Sequence, residues 1–187
     1  MSYNLDTIDS CNDYIKFGER YMIKNKINIL FGCKNLNKLN DSINIAIDTE
    51  GRIKGTQMPI MIQLTDGKTI VILKYQPNID TIKEFLSKKN VIVFGALNEF
   101  KIMGFTPPKH ADVQLHHSLS LKRMISIYFK REPIFQKPTN EFYSNYYWGE
   151  PSKEHILYAA FDALSTYLLF KSLEKKGNIS FNDSQKN

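Results

Sequence analysis

Ile43-Asn44-Ile45-Ala46-Ile47-Asp48-Thr49-Glu50-Gly51 is the stretch on which the fold turns. Its first five residues are nearly continuous in apolar character, as in a strand buried on both faces. Two acids follow at once. Side chains alternate along a strand, so Asp48 and Glu50 leave its end on the same side. Charge beside a buried strand is costly unless it is paired or metal-bound; a simple turn after the strand is the bland alternative. A second stretch complements the first. Tyr158-Ala159-Ala160-Phe161-Asp162 lies in an apolar helical segment, and residues four apart share a helical face, which pairs a phenol with an acid; a structural salt bridge to a lysine is the alternative for Asp162, and core packing the alternative for Tyr158. Where the strand end meets that face, three carboxylates converge with a tyrosine beside them. Such an oxygen-rich set suits the hard cations Mg²⁺ or Mn²⁺.

Working outward, residues 8–24 read as a helix, with Tyr14, Phe17, Tyr21 and Met22 near helical spacing, and residues 26–31 as a short strand. Residues 59–65 and 68–73 flank Asp66-Gly67, a two-residue hairpin signal, and join the first stretch in an antiparallel unit. Helix and strand then alternate: a helix at 79–88, a buried strand at 91–95, a short helix at 97–103, and a short final strand at 110–113 after Thr106-Pro107-Pro108. Two helices follow, the second at 120–129, and a long helix runs from Ser152, a good N-cap after Pro151, to about Gly177. The polar stretch 177–187 is expected to be disordered. This order predicts one α/β domain over residues 1–176, a mixed sheet of about five strands flanked by helices.

A length of 187 residues suits one well-packed domain. No apolar run reaches transmembrane length, and Met1-Ser2-Tyr3-Asn4-Leu5-Asp6 lacks the pattern of a signal peptide. Cys11 and Cys33 show no metal-ligand spacing and read as reduced thiols, which points to an intracellular compartment, cytoplasm or nucleus, and to no membrane. The net charge of +6, from 25 basic and 19 acidic residues, favours polyanionic partners. The adjacent His116-His117 have no partner at zinc spacing and read as a surface or half-buried pair. Tyr143, Tyr146, Tyr147 and Trp148 form an aromatic cluster that either stacks on bases or packs beneath a loop. Lys122, Arg123, Lys130 and Arg131 could touch phosphate, but a solvated helix face is their default reading.

Asp-x-Glu early and Tyr-x-x-x-Asp late resemble the first and third motifs of the DEDDy 3′–5′ exonucleases, which include RNase D, the Werner-type exonuclease domain and the proofreading domain of DNA polymerase I. Three further stretches carry the resemblance, all in order. Met61-Ile62-Gln63-Leu64 resembles the family's Ile-Gln-Leu strand, and Ala111-Asp112-Val113-Gln114-Leu115 its Asp-Thr-Gln segment. Trp148, Pro151-Ser152 and Tyr158-Ala159-Ala160 resemble its approach to the third motif, so the match spans residues 43–173. It implies the ribonuclease H-like exonuclease fold.

The second motif departs from the pattern. The family has an aspartate opening a helix after a strand, whereas here Val91-Ile92-Val93-Phe94-Gly95 is followed by Ala96-Leu97-Asn98-Glu99-Phe100. Glu99, with Phe100 next and Met103 four on, aligns with the family's rhythm; Asn98 fits it less well. Glu99 reads equally as a ligand or as an acid that favours a helix N-terminus. The resemblance implies Asp48, Glu50, Glu99 and Asp162 as the metal-ligand set, with Tyr158 orienting or deprotonating the attacking water. Two ions about 4 Å apart would bracket the scissile phosphodiester. The resemblance implies hydrolysis at single-stranded 3′ ends of RNA or DNA, releasing nucleoside 5′-monophosphates. The altered second motif leaves a different class open: a weakened or silent nuclease fold that binds nucleic acid or a protein. Protein partners and a homodimer are likewise left open.

Overall fold

The apolar run that ends in Asp48 forms β2 (Asn44–Glu50), the middle strand of a mixed sheet in the computed structural model, which describes residues 5–114, 118–136 and 151–183. Before it come helix α1 (Leu5–Lys24) and strand β1 (Asn28–Phe31); after it come β3 (Met61–Thr65) and β4 (Thr69–Lys74), joined by the Asp66-Gly67 hairpin. Then follow α2 (Ile79–Ser87), β5 (Asn90–Val93), α3 (Ala96–Met103), β6 (Lys109–Asp112), α4 (Leu121–Tyr128), α5 (Lys153–Lys175) and β7 (Asn182–Asp183). The strand order is β1-β4-β3-β2-β5-β6-β7. Strand β2 runs antiparallel to β3, with Asp48 opposite Gln63, and parallel to β5. The β2–β5 ladder ends at Ala46 opposite Ile92, so Asp48, Thr49 and Glu50 project past it, beside the start of α3.

Alternation along β2 divides two cores. Ala46 packs with Tyr14 of α1 and with Ala159, Ala160 and Phe161 of α5, whereas Ile45 and Ile47 pack on the other face with Ile82 of α2 and Phe100 of α3. Helix α5 is long and apolar enough to cross a membrane, a length the sequence reading did not credit to any run. Its composition has another cause here: it lies between the sheet, α1 and α4, and residues 158–166 are all buried. Ser152 starts it with a capping box, accepting from the His155 backbone N–H at 3.2 Å. At Gly18, α1 comes so close to α5 that a Cβ there would stand 2.5 Å from Phe161 Cγ. That approach, one turn after Tyr14, brings the Tyr14 hydroxyl onto Asp162.

The elements match the sequence expectations within a few residues, apart from an unexpected 3-10 helix at Cys33–Leu39 and the differences that follow. Among the described residues the sheet has six strands, where about five were expected, plus the two-residue β7, which pairs antiparallel with β6 where a disordered tail was expected. The edge of β6 offers unpaired backbone groups there, and a polar segment satisfies them as well as an apolar one. Of the two helices expected after β6, the second is α4. The first, with His116 and His117, and the aromatic cluster of Tyr143, Tyr146, Tyr147 and Trp148 lie outside the described residues.

Candidate active site

Asp48 and Glu50 point to the α5 face of the sheet, and Asp162 meets them from that helix: one carboxylate oxygen from each lies within 4.8 Å of the others. Tyr158, one turn before Asp162, is buried beside it. Thr49 points to the opposite face. There its Oγ1 donates to Glu99 Oε2 at 2.6 Å, and both residues are buried. Glu99 thus sits at the sheet end next to the three acids without joining their cluster. The start of α3 that carries it is held by Asp112 of β6, whose carboxylate accepts from the backbone N–H groups of Gly95 and Ala96 at 2.9 and 2.7 Å. Asn98, the alternative for the second motif, is exposed.

Two residues that the sequence reading placed elsewhere belong to this site. Lys122 of α4 is buried, not solvated, and its ammonium donates to Asp162 Oδ1 and Oδ2 at 2.8 and 2.6 Å and to the Tyr158 hydroxyl at 2.5 Å. It also stands 4.9 Å from the ring centroid of Tyr14 and 4.2 Å from that of Tyr158, in cation–π range. Tyr14, read only as an apolar helix residue, donates its hydroxyl proton to Asp162 Oδ1. The signal for Lys122 was available in its helical position. It shares a face with Ile125 and Phe129 at i+3 and i+7, whereas Arg123 next to it points away.

The electrostatics describe a site with surplus negative charge. Burial first, then Glu50, Glu99 and Asp162, hold the Asp48 carboxyl well above the usual carboxylate range, with Lys122 opposing them. Burial and the charge of Asp162 push Glu50 up to about 8. Burial pushes Glu99 up to about 7, against the Thr49 hydrogen bond and the charge of Arg52. Asp48 Oδ2 and both polar atoms of Gln63, its cross-strand neighbour, have no hydrogen-bond partner among the described residues. Buried lone pairs and crowded acids of this kind fit a divalent cation, which satisfies the one and neutralises the other.

No protein-family model and no curated protein matches the sequence. Solved structures do. The exonuclease domain of Nibbler from Aedes aegypti superposes with a TM-score of 0.64 at 14% identity, over 80% of this chain and 88% of that one. NrnC from Brucella melitensis with bound Mg²⁺ gives 0.55 at 16% identity, over 82% and 84%. RNase D from Escherichia coli, an exoribonuclease involved in structured RNA processing, gives 0.58 at 19% identity, over 81% of this chain and 46% of its own. The structural neighbours are 3′–5′ exonucleases of the DEDDy type, and the fold is the ribonuclease H-like exonuclease fold.

Proposed function

We propose that this chain is a divalent-cation-dependent 3′–5′ exonuclease that hydrolyses single-stranded ends of RNA or DNA. One observation carries the reading: Asp48, Glu50 and Asp162, brought from two distant segments, present oxygens within 4.8 Å of one another, Asp162 buried and the other two half-buried. The three would hold Mg²⁺ or Mn²⁺. A bound ion of this kind lowers the pKa of water and stabilises charge on the phosphoryl group. The chain's own residues do the rest. Tyr158, fixed by Lys122, presents a phenol beside the acids and orients the attacking water. Glu99, held by Thr49, adds negative charge at the strand end and lies within electrostatic reach of Arg52. An apolar cavity of about 420 Å³ lined by Phe31, Ile60, Met61, Ile72 and Ile156 adjoins the strand pair that carries Glu50. It suits a terminal base.

A second reading is favoured by one observation. Both oxygens of Asp162 are already engaged by Lys122, and Glu99 stands apart, as in a nuclease fold that binds without cutting. Product analysis separates the two. Incubated with 3′-hydroxyl RNA or DNA oligonucleotides and Mn²⁺, the exonuclease releases nucleoside 5′-monophosphates, seen by mass spectrometry. Tight binding of the same oligonucleotides with no monophosphate released would leave the binding module.

A further inference from the structure

Lys122 is an unusual neighbour for a cation site. A buried ammonium is costly unless paired, and this one, 6% exposed, spends its three donors on Asp162 Oδ1, Asp162 Oδ2 and the Tyr158 hydroxyl. An ionised carboxylate has about four lone-pair sites. In Asp162, Oδ1 accepts from both Lys122 and Tyr14, and Oδ2 accepts from Lys122. Among the described residues, one site on Oδ2 is left. Asp162 can therefore give a single oxygen to a single ion; chelating an ion with both oxygens, or bridging two ions, requires that Lys122 leave.

The opposite side of the site is equally committed. Glu99, the acid that would complete a second ion's shell, is bonded to Thr49 and stands outside the cluster of Asp48, Glu50 and Asp162. The position an ion would take against Asp162 and Tyr158 is filled by the lysine's charge.

We propose that Lys122 is a built-in cation that takes the place of one of two divalent ions, so that the chain binds one ion, between Asp48, Glu50 and the free site on Asp162. Lys122 is then a positioning residue: it holds the Asp162 carboxylate and the Tyr158 phenol in the arrangement that an ion would otherwise impose. The inference rests on the carboxylate cluster being a cation site, and its test needs no turnover.

Free Mn²⁺ is counted by electron paramagnetic resonance during titration of the full chain, without nucleic acid, for the wild type, Lys122→Met and Asp48→Asn. The wild type is expected to bind one Mn²⁺, and Asp48→Asn none. Lys122→Met keeps the apolar stem, removes the charge and is expected to bind a second ion or to hold the first at least about tenfold more tightly. Any wild-type count other than one overturns the inference, as does a Lys122→Met isotherm identical to wild type. A wild-type count other than one overturns the inference even if Lys122→Met does not fold. One ion without nuclease activity would sustain this inference and sink the exonuclease reading; two ions with activity would do the reverse.

Discussion

Without divalent ions the fold should lose stability as pH rises through neutrality, and the crowded carboxylates set the size of the loss. Glu50 titrates at about 8 in the folded protein against 4.5 ordinarily, and Glu99 at about 7. A carboxyl whose folded pKa is raised binds its proton more tightly in the native state. Its stabilising contribution is complete below about 4.5 and is lost as pH climbs to about 8. At about 1.36 kcal/mol for each pH unit of difference, Glu50 alone sets an upper bound of about 5 kcal/mol. Glu50 is partly exposed and shares protons with Asp48 and Glu99, so about half of that, roughly 2–3 kcal/mol, is the expected loss. For a domain of this size that is a fall in Tm of about 5–10 °C. Differential scanning calorimetry in EDTA between pH 5 and pH 8.5 measures it, with Glu50→Gln beside the wild type. The chain's net positive charge shrinks over the same range, which by itself relieves self-repulsion and raises Tm. A Tm that stays level or rises with pH, or a Glu50→Gln protein with the wild-type slope, would refute the reasoning.

At pH 8, saturating Mn²⁺ should restore what the acids cost: at a hundred times its Kd it adds about 2.7 kcal/mol, read as a rise in Tm that Asp48→Asn abolishes. Gly18→Ala gains about 1 kcal/mol in helix propensity but drives a methyl to 2.5 Å from Phe161 Cγ, which is buried and cannot yield. Overpacking at about 1–3 kcal/mol wins, so a lower urea midpoint is expected; a higher one contradicts the close α1–α5 contact. Tyr14→Phe removes a buried hydrogen bond to Asp162 and should cost about 1.5–3 kcal/mol in urea denaturation. An unchanged midpoint would place the Tyr14 hydroxyl outside the site. Ile156→Trp fills the apolar cavity beside Glu50 and should raise KM for oligonucleotides with little change in kcat, in steady-state kinetics. A fall in kcat at constant KM would argue against a base there.

The central strand and the long helix were readable because both are buried on several sides and so carry long apolar runs, in which an acid stands out. Asp48 and Asp162 were found that way, and period two placed Glu50 with Asp48. Period two also puts Thr49 on the other face, where it captures Glu99; that bond joins residues on different elements, and no local spacing announces it. Lys122 was misjudged because a lysine on an amphipathic helix is ordinarily solvated, and its burial depends on how α4 docks against α5. Tyr14 has the same origin. Its helical spacing marked a core residue, and only the crossing at Gly18 shows that the hydroxyl ends on Asp162. Strand β7 has no sequence signal beyond two polar residues, since it exists to pair the edge of β6.

The most direct test of the account is digestion of 5′-labelled single-stranded RNA and DNA with Mn²⁺, Mg²⁺ or EDTA, by the wild type and by Asp48→Asn/Glu50→Gln. A ladder shortening from the 3′ end is expected, dependent on the divalent ion, absent in EDTA and absent in the double variant. Internal cuts, a ladder that survives in EDTA or in the double variant, or intact substrate at saturating ion would contradict it.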